Sequence, residues 1–140
     1  MQVNLYIHQT IRGPRKGQQG YGMFILEAQT ASGPATKTYR VQVEGSENEA
    51  SLKVLDQALS HMNSPSDLSI YIDSKWLHTA LTEWLPKWRD TEYLSAKGEP
   101  IAFAETWQKV DEALKSQNFT VFLGENHSYK NWMERNIKPA

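Results

Sequence analysis

Asp73 is the residue whose type and position point most directly to chemistry. It follows the apolar run Leu68-Ser69-Ile70-Tyr71-Ile72 and precedes a helical pattern. A carboxylate there lies at the open carboxyl edge of a sheet, where α/β proteins gather ligands. The competing role is structural, with Asp73 and Ser74 capping the next helix. The turn Arg12-Gly13-Pro14-Arg15-Lys16 is the one concentrated positive patch. Arg12, Arg15 and Lys16 at a glycine-containing turn suit one or two phosphates of a nucleic acid, and equally a solvated hairpin tip. Trp84, Trp88 and Trp107 recur at helical spacing, which favours core packing over a base-stacking role. Trp76 and Trp132 interrupt polar stretches and are expected to be exposed, as on a partner surface. The chain has no cysteine, which excludes thiolate nucleophiles, disulfides and Cys-ligated zinc.

These residues need a scaffold, and 140 residues suffice for one domain with a real core. Hydrophobic residues make up 39% and charged residues 22%, ordinary values for a folded chain. Fifteen Lys and Arg against sixteen Asp and Glu argue against coating nucleic acid by bulk charge. No apolar run approaches the roughly 20 residues of a membrane span, and Met1-Gln2-Val3-Asn4-Leu5 lacks the layout of a secretory signal. The expectation is a soluble, cytoplasmic protein with no membrane contact.

Alternation of Val3, Leu5 and Ile7 predicts a first strand. A second is expected over Tyr21 to Ala28 and, after the Ala31-Ser32-Gly33-Pro34 turn, a third near Lys37 to Val43, forming an antiparallel meander. Leu52, Leu55, Leu59 and Met62 then mark an amphipathic helix capped by Ser46 or Asn48. After the Asp73 strand, Leu77, Leu81, Trp84 and Trp88 share a helical stripe broken near Pro86. Arg89 to Pro100 is irregular, Phe103, Trp107, Val110 and Leu114 form a further helix, and Phe119 to Leu123 is the last strand. A short helix from Tyr129 to Ile137 ends the order βββαβααβα, a single α/β domain over residues 1–140.

Three groups of residues together resemble type 1 ribonuclease H. Gly20-Tyr21-Gly22 opens the second strand and Ile72-Asp73-Ser74 follows the fourth. Trp84-Leu85-Pro86-Lys87-Trp88, Gly98-Glu99-Pro100-Ile101 and Thr106-Trp107-Gln108 are similar to that family's handle region. The resemblance covers nearly the whole chain. It implies an RNase H-like fold, a five-stranded mixed sheet flanked by helices, with the first strand central and the Asp73 strand parallel beside it. It also implies four carboxylates holding two magnesium ions about 3.5–4 Å apart that drive hydrolysis of RNA in a hybrid.

Against that pattern this chain has His8 at the first acid and Ser51 at the second, with Glu47 and Glu49 nearby. Asp73 stands at the third, and the gapless match gives Ile137 at the fourth, anchored on Glu134-Arg135. His127 matches the family's mobile histidine. Glu47, one turn before Ser51 and on nearly the same face, is the better substitute for the second acid. His8 and Asp73 are expected to face each other at the ends of adjacent strands.

The handle-like stretch from Pro86 to Trp107 holds Lys87, Arg89 and Lys97 against Asp90, Glu92, Glu99 and Glu105, a poor clamp for phosphates. The implied protein is a degenerate ribonuclease H-like domain, a non-catalytic module for protein or weak nucleic-acid contacts. Asp73, His127 and Glu47 would be remnants of the catalytic set, and no cofactor is expected. Two alternatives stand beside it. One is hybrid cleavage with magnesium or manganese at an unorthodox site. The other is a different metal-dependent hydrolase in which His8 and Asp73, with His127 and Glu47, converge as a mixed nitrogen and oxygen ligand set.

Overall fold

The computed structural model describes residues 1–139. Its sheet has five strands, β1 (Gln2–Gln9), β2 (Gln18–Thr30), β3 (Gly33–Gly45), β4 (Asp67–Ile72) and β5 (Asn118–Leu123), in the order β3-β2-β1-β4-β5. β1 pairs antiparallel with β2 and parallel with β4, and β4 pairs parallel with β5. β1 is therefore central. The parallel pairing requires a crossover, supplied by α1 (Glu47–Leu59) between β3 and β4. Both long strands exceed the stretches expected from hydrophobic alternation. Their register runs from Gln18↔Gly45 to Thr30↔Gly33, because ladder hydrogen bonds carry exposed polar residues that an apolar pattern does not register.

Ser46 caps α1, its hydroxyl accepting from the Glu49 N–H at 3.3 Å. The helix packs close on the sheet at Gly22, where a Cβ would stand 2.4 Å from Val54 Cγ2 and 2.9 Å from Val41 Cγ2. Gly22 is thus required by close approach. Leu5, Phe24, Leu52, Leu55, Ile70, Leu77 and Trp107 are among the residues of the main core between the sheet and its helices. A smaller core on the opposite face joins Tyr6, Met23 and Ile25 to Met133 and Ile137 of the terminal helix.

After β4 the chain forms α2 (Lys75–Thr79), a π turn at Ala80–Trp84 and α3 (Leu85–Asp90). The irregularity expected at Pro86 lies just upstream of it. Pro86 has no N–H to return to the preceding turn, and the Leu85 N–H donates to Ala80 C=O, the wider π bond. Arg89 and Tyr93 of the irregular segment are tied to Asp111 of α4 (Ala104–Leu114). Trp107 is fully buried, and Trp84 and Trp88 pack against the same core. Trp76 is half-buried rather than exposed, packed beside Phe103 and Trp107, whereas Trp132 is exposed. The last helix, α5, spans Lys130–Asn136.

Candidate functional site

The carboxyl ends of β1 and β4, the start of α1 and the first turns of α5 enclose a cleft of about 310 Å³. Its lining includes His8, Gln9, Arg12, Glu47, Ser51, Asp73, Ser74, Lys130 and Glu134. Topology explains the convergence. Adjacent parallel strands end side by side, so His8 and Asp73 meet, with Nδ1 of His8 3.6 Å from Oδ2 of Asp73. Ser74 caps α2, its hydroxyl accepting from the Leu77 N–H at 3.0 Å. Asp73 is thereby released from the capping role and faces the cleft. The His8 imidazole beside it holds the Asp73 carboxyl below the usual value of 3.8. Partial burial opposes that effect, and the charges of Lys130 and His127 assist it.

The α1 side of the cleft is neutral or committed elsewhere. Ser51 is buried, accepts from Gln9 Nε2 at 3.2 Å and donates to the Glu47 carbonyl at 3.0 Å. Glu47 is latched to the basic turn: the Gly13 N–H donates to its Oε1 at 2.8 Å, and its own N–H donates to Gly13 C=O at 3.0 Å. Glu49 turns away to Lys53, at 3.2 Å. Arg12 lines the cleft, donating from Nη1 to the carbonyls of Gln9 and Ile11, both at 2.8 Å. Arg15 and Lys16 are exposed on the turn, outside the cleft lining.

At the fourth position of the gapless match, Ile137 brings no acid to the cleft. Ile137 is buried in the smaller core with Met133, because the two stand one turn apart and share the apolar face toward the sheet. Lys130 and Glu134, one turn apart on another face of α5, are the residues that line the cleft. Glu134, read from the sequence only as part of the Glu134-Arg135 anchor, is a second carboxylate lining the cleft beside Asp73. Its signal lay in the helical spacing of Lys130 and Glu134 against Met133 and Ile137.

His127 also departs from the convergent ligand set. Its ring lies tilted against Tyr6 with centroids 4.5 Å apart, and its Nδ1 accepts from the Tyr129 N–H at 3.2 Å. Burial pushes its imidazole below 6.5, with Asp73 opposing and Lys130 adding. Among the described residues no three His, Cys, Asp or Glu side chains are arranged to hold a metal ion. Two magnesium ions need several free carboxylates. The cleft offers Asp73 beside His8 and Glu134 beside Lys130, with Arg12 in the same lining and Glu47 spent on Gly13. This donor set does not fit a magnesium pair.

A mixed five-stranded sheet in this order, with helices flanking it and a cleft at the carboxyl ends of β1 and β4, defines an RNase H-like α/β protein. The family model for RNase H matches residues 2–135, and the chain belongs to that family. A ribonuclease H of Acidovorax sp. (strain JS42) is 32% identical over 65 residues, covering 46% of this chain and 44% of that protein. A ribonuclease H of Cupriavidus metallidurans is 25% identical over 119 residues, covering 85% of this chain and 79% of that one. The chain thus spans less than half of the first relative and about four-fifths of the second.

Among solved structures, LC9-RNase H1, a type 1 RNase H with the type 2 active-site motif, superposes with a TM-score of 0.73 at 17% identity, covering 96% of this chain and 69% of that one. The PFV RNase H domain gives a TM-score of 0.63 at 14% identity, covering 93% and 81%. At these identities the likeness is one of fold. Family membership implies magnesium or manganese dependence as the ordinary case. No helix among the described residues is long and apolar enough to cross a membrane.

Proposed function

We propose that this chain is a non-catalytic RNase H-fold module that binds nucleic acid weakly through its basic turn and does not cleave it. The observation that carries this reading is the cleft's charge layout. Lys130 and Arg12 enter a lining where the family's chemistry calls for acids, and His8 lies against Asp73. A metal pair would have to displace a histidine from Asp73 and tolerate two fixed cations nearby. Family hydrolysis depends on both ions, so their loss removes the activated water and the stabilised leaving oxygen together. His127, held on Tyr6, then has no activated water to serve.

The binding arm is supported by the latch between Gly13 and Glu47, which fixes the turn carrying Arg12, Arg15 and Lys16 to the start of α1. Cations presented on a braced loop lose little entropy when they meet phosphates. With three such contacts, log affinity should fall against log salt with a slope of about −2 to −3. A partner protein is the competing ligand, favoured by exposed Trp132.

Incubation of an RNA–DNA hybrid with magnesium or manganese tests the catalytic half. The wild-type chain should give no cleavage above background. The triple change His8→Asp, Ser51→Glu and Lys130→Asp, which surrounds Asp73 with acids, should introduce metal-dependent cleavage. Robust cleavage by the unmodified chain, abolished by Asp73→Asn, would overturn the proposal. Fluorescence anisotropy with the same hybrid tests the binding half. Binding unchanged by Arg15→Ala with Lys16→Ala would remove the basic turn from it.

A further inference from the structure

β3 is an edge strand of thirteen residues, more than twice the usual strand length of about 5–6. Proteins blunt such edges with bulges, short strands, proline or charge, because an edge is a row of unpaired N–H and C=O groups. No bulge interrupts β3: its register with β2 is continuous from end to end. β5, at the opposite edge, has only six residues.

Hydrogen bonds elsewhere fix which β3 residues face outward. The N–H of Tyr21 donates to Thr10 Oγ1 and its C=O accepts from the Thr10 N–H, both at 3.0 Å. Tyr21 is opposite Gln42, so Gln42 turns its own N–H and C=O to the free edge. Alternation extends this to Pro34, Thr36, Thr38, Arg40 and Glu44. The Glu44 carbonyl fits this alternation, accepting from Lys53 Nζ at 2.7 Å.

We propose that β3 pairs antiparallel with β3 of a second copy of this chain, about a two-fold axis through Tyr39, joining the two sheets edge to edge. In this register Gly33 of one copy faces Gly45 of the other, and the whole strand is used. Thr36 with Gln42, and Thr38 with Arg40, exchange both of their backbone hydrogen bonds, on either side of the axis.

The ends of the strand select a copy of itself over any other strand. Pro34 has no N–H to give, and its opposite residue is Glu44, whose carbonyl Lys53 already occupies. The missing donor thus meets the acceptor that needs none, at both ends of the pairing. At the centre Tyr39 faces Tyr39, a favourable cross-strand aromatic pair, with Lys37 diagonal to the ring. Arg40 does not guard the edge, because its Nε donates to the Asn136 carbonyl at 2.9 Å and draws the charge over α5. This inference is independent of the nucleic-acid reading.

Light scattering after size exclusion, from low to high micromolar chain, tests it. The wild type should approach twice the 16.0 kDa chain mass as concentration rises. Thr38→Pro deletes an outward N–H and leaves the β2–β3 ladder intact, so the dimer should be lost. Thr36→Lys with Gln42→Lys keeps every outward N–H but sets lysine opposite lysine on both sides of the axis, and should weaken dimerisation about tenfold or more. It also serves where Thr38→Pro fails to fold, with circular dichroism reporting the fold. Thr120→Lys on β5 should leave the dimer unchanged. A wild type that stays monomeric throughout, or a dimer that Thr36→Lys with Gln42→Lys leaves intact, overturns the proposal.

Discussion

Replacing Asp111 by alanine should destabilise the protein by about 2–3 kcal/mol and loosen the segment between α3 and α4. Asp111 is almost fully buried on α4 and accepts from Arg89 Nη2 at 2.6 Å, from Arg89 Nε at 3.1 Å and from the Tyr93 hydroxyl. Hydrogen bonds to charged groups contribute about 1.5–3 kcal/mol each when desolvated. The Arg89 side chain is 48% exposed, so water recovers much of its share, leaving about 0.5–1 kcal/mol for that pair. The Tyr93 hydroxyl, on a half-buried residue, loses its acceptor for about 1.5–2 kcal/mol.

Unfolding entropy of about 2.1 cal/mol/K per residue over 140 residues converts the total to a Tm lowered by about 7–10 °C. Tyr93 and Glu92 hold left-handed backbone, φ 63° and 55°, a strain this anchor offsets. Amide exchange should therefore rise over residues 91–103 before the rest of the chain. The pH dependence supplies a sign. Burial raises the Asp111 carboxyl, but the Arg89 and Tyr93 hydrogen bonds and the Arg89 and Lys115 charges outweigh it, so its folded value lies below 3.8. The contribution is complete above that value and is lost as pH falls through the folded one. The gap between wild type and Asp111→Ala should close in acid. Calorimetry that finds a Tm change under about 2 °C, or a gap independent of pH, would refute this account of the anchor.

At the cleft, Asp73 should titrate below 3.8 because of His8, and His8→Ala should raise it, as carbon-detected NMR will report. Any stabilisation from that pair is present above pH about 4 and fades below it. Glu47→Ala removes the acceptor of the Gly13 N–H; a cost of about 1–2 kcal/mol is expected, with faster exchange at Gly13 and weaker hybrid binding at unchanged salt. On the other face, the Tyr129 phenol is pushed up to about 12, first by its hydrogen bond to Glu27 and then by burial. Glu27→Gln should bring its ultraviolet titration back toward 10.0 and leave the cleft unchanged.

Local pattern and the family resemblance together were enough for the scaffold. Alternating and helical apolar spacing located all five strands and the helical segments, though the stretch expected as one helix broken near Pro86 is α2, a π turn and α3. Ser46 caps α1 as its type suggests, and the parallel neighbour of β1 follows from the α1 crossover. The meeting of His8 and Asp73 was equally legible, since two strand ends fixed by the fold must adjoin. What sequence distance could not carry was the orientation of side chains arriving from separate elements. Glu47 had the right type and turn for a ligand, but the fold brings Gly13 to it and consumes the carboxylate. Ile137 occupied the aligned position, but packing of Met133 and Ile137 on the sheet leaves Lys130 and Glu134 as the α5 residues that line the cleft. A helix turns about 100° per residue, so Lys130 and Glu134 share one face while Met133 and Ile137 share the neighbouring one. Apolar spacing therefore determines that a helix exists, while the elements it packs against decide which charges reach the cleft.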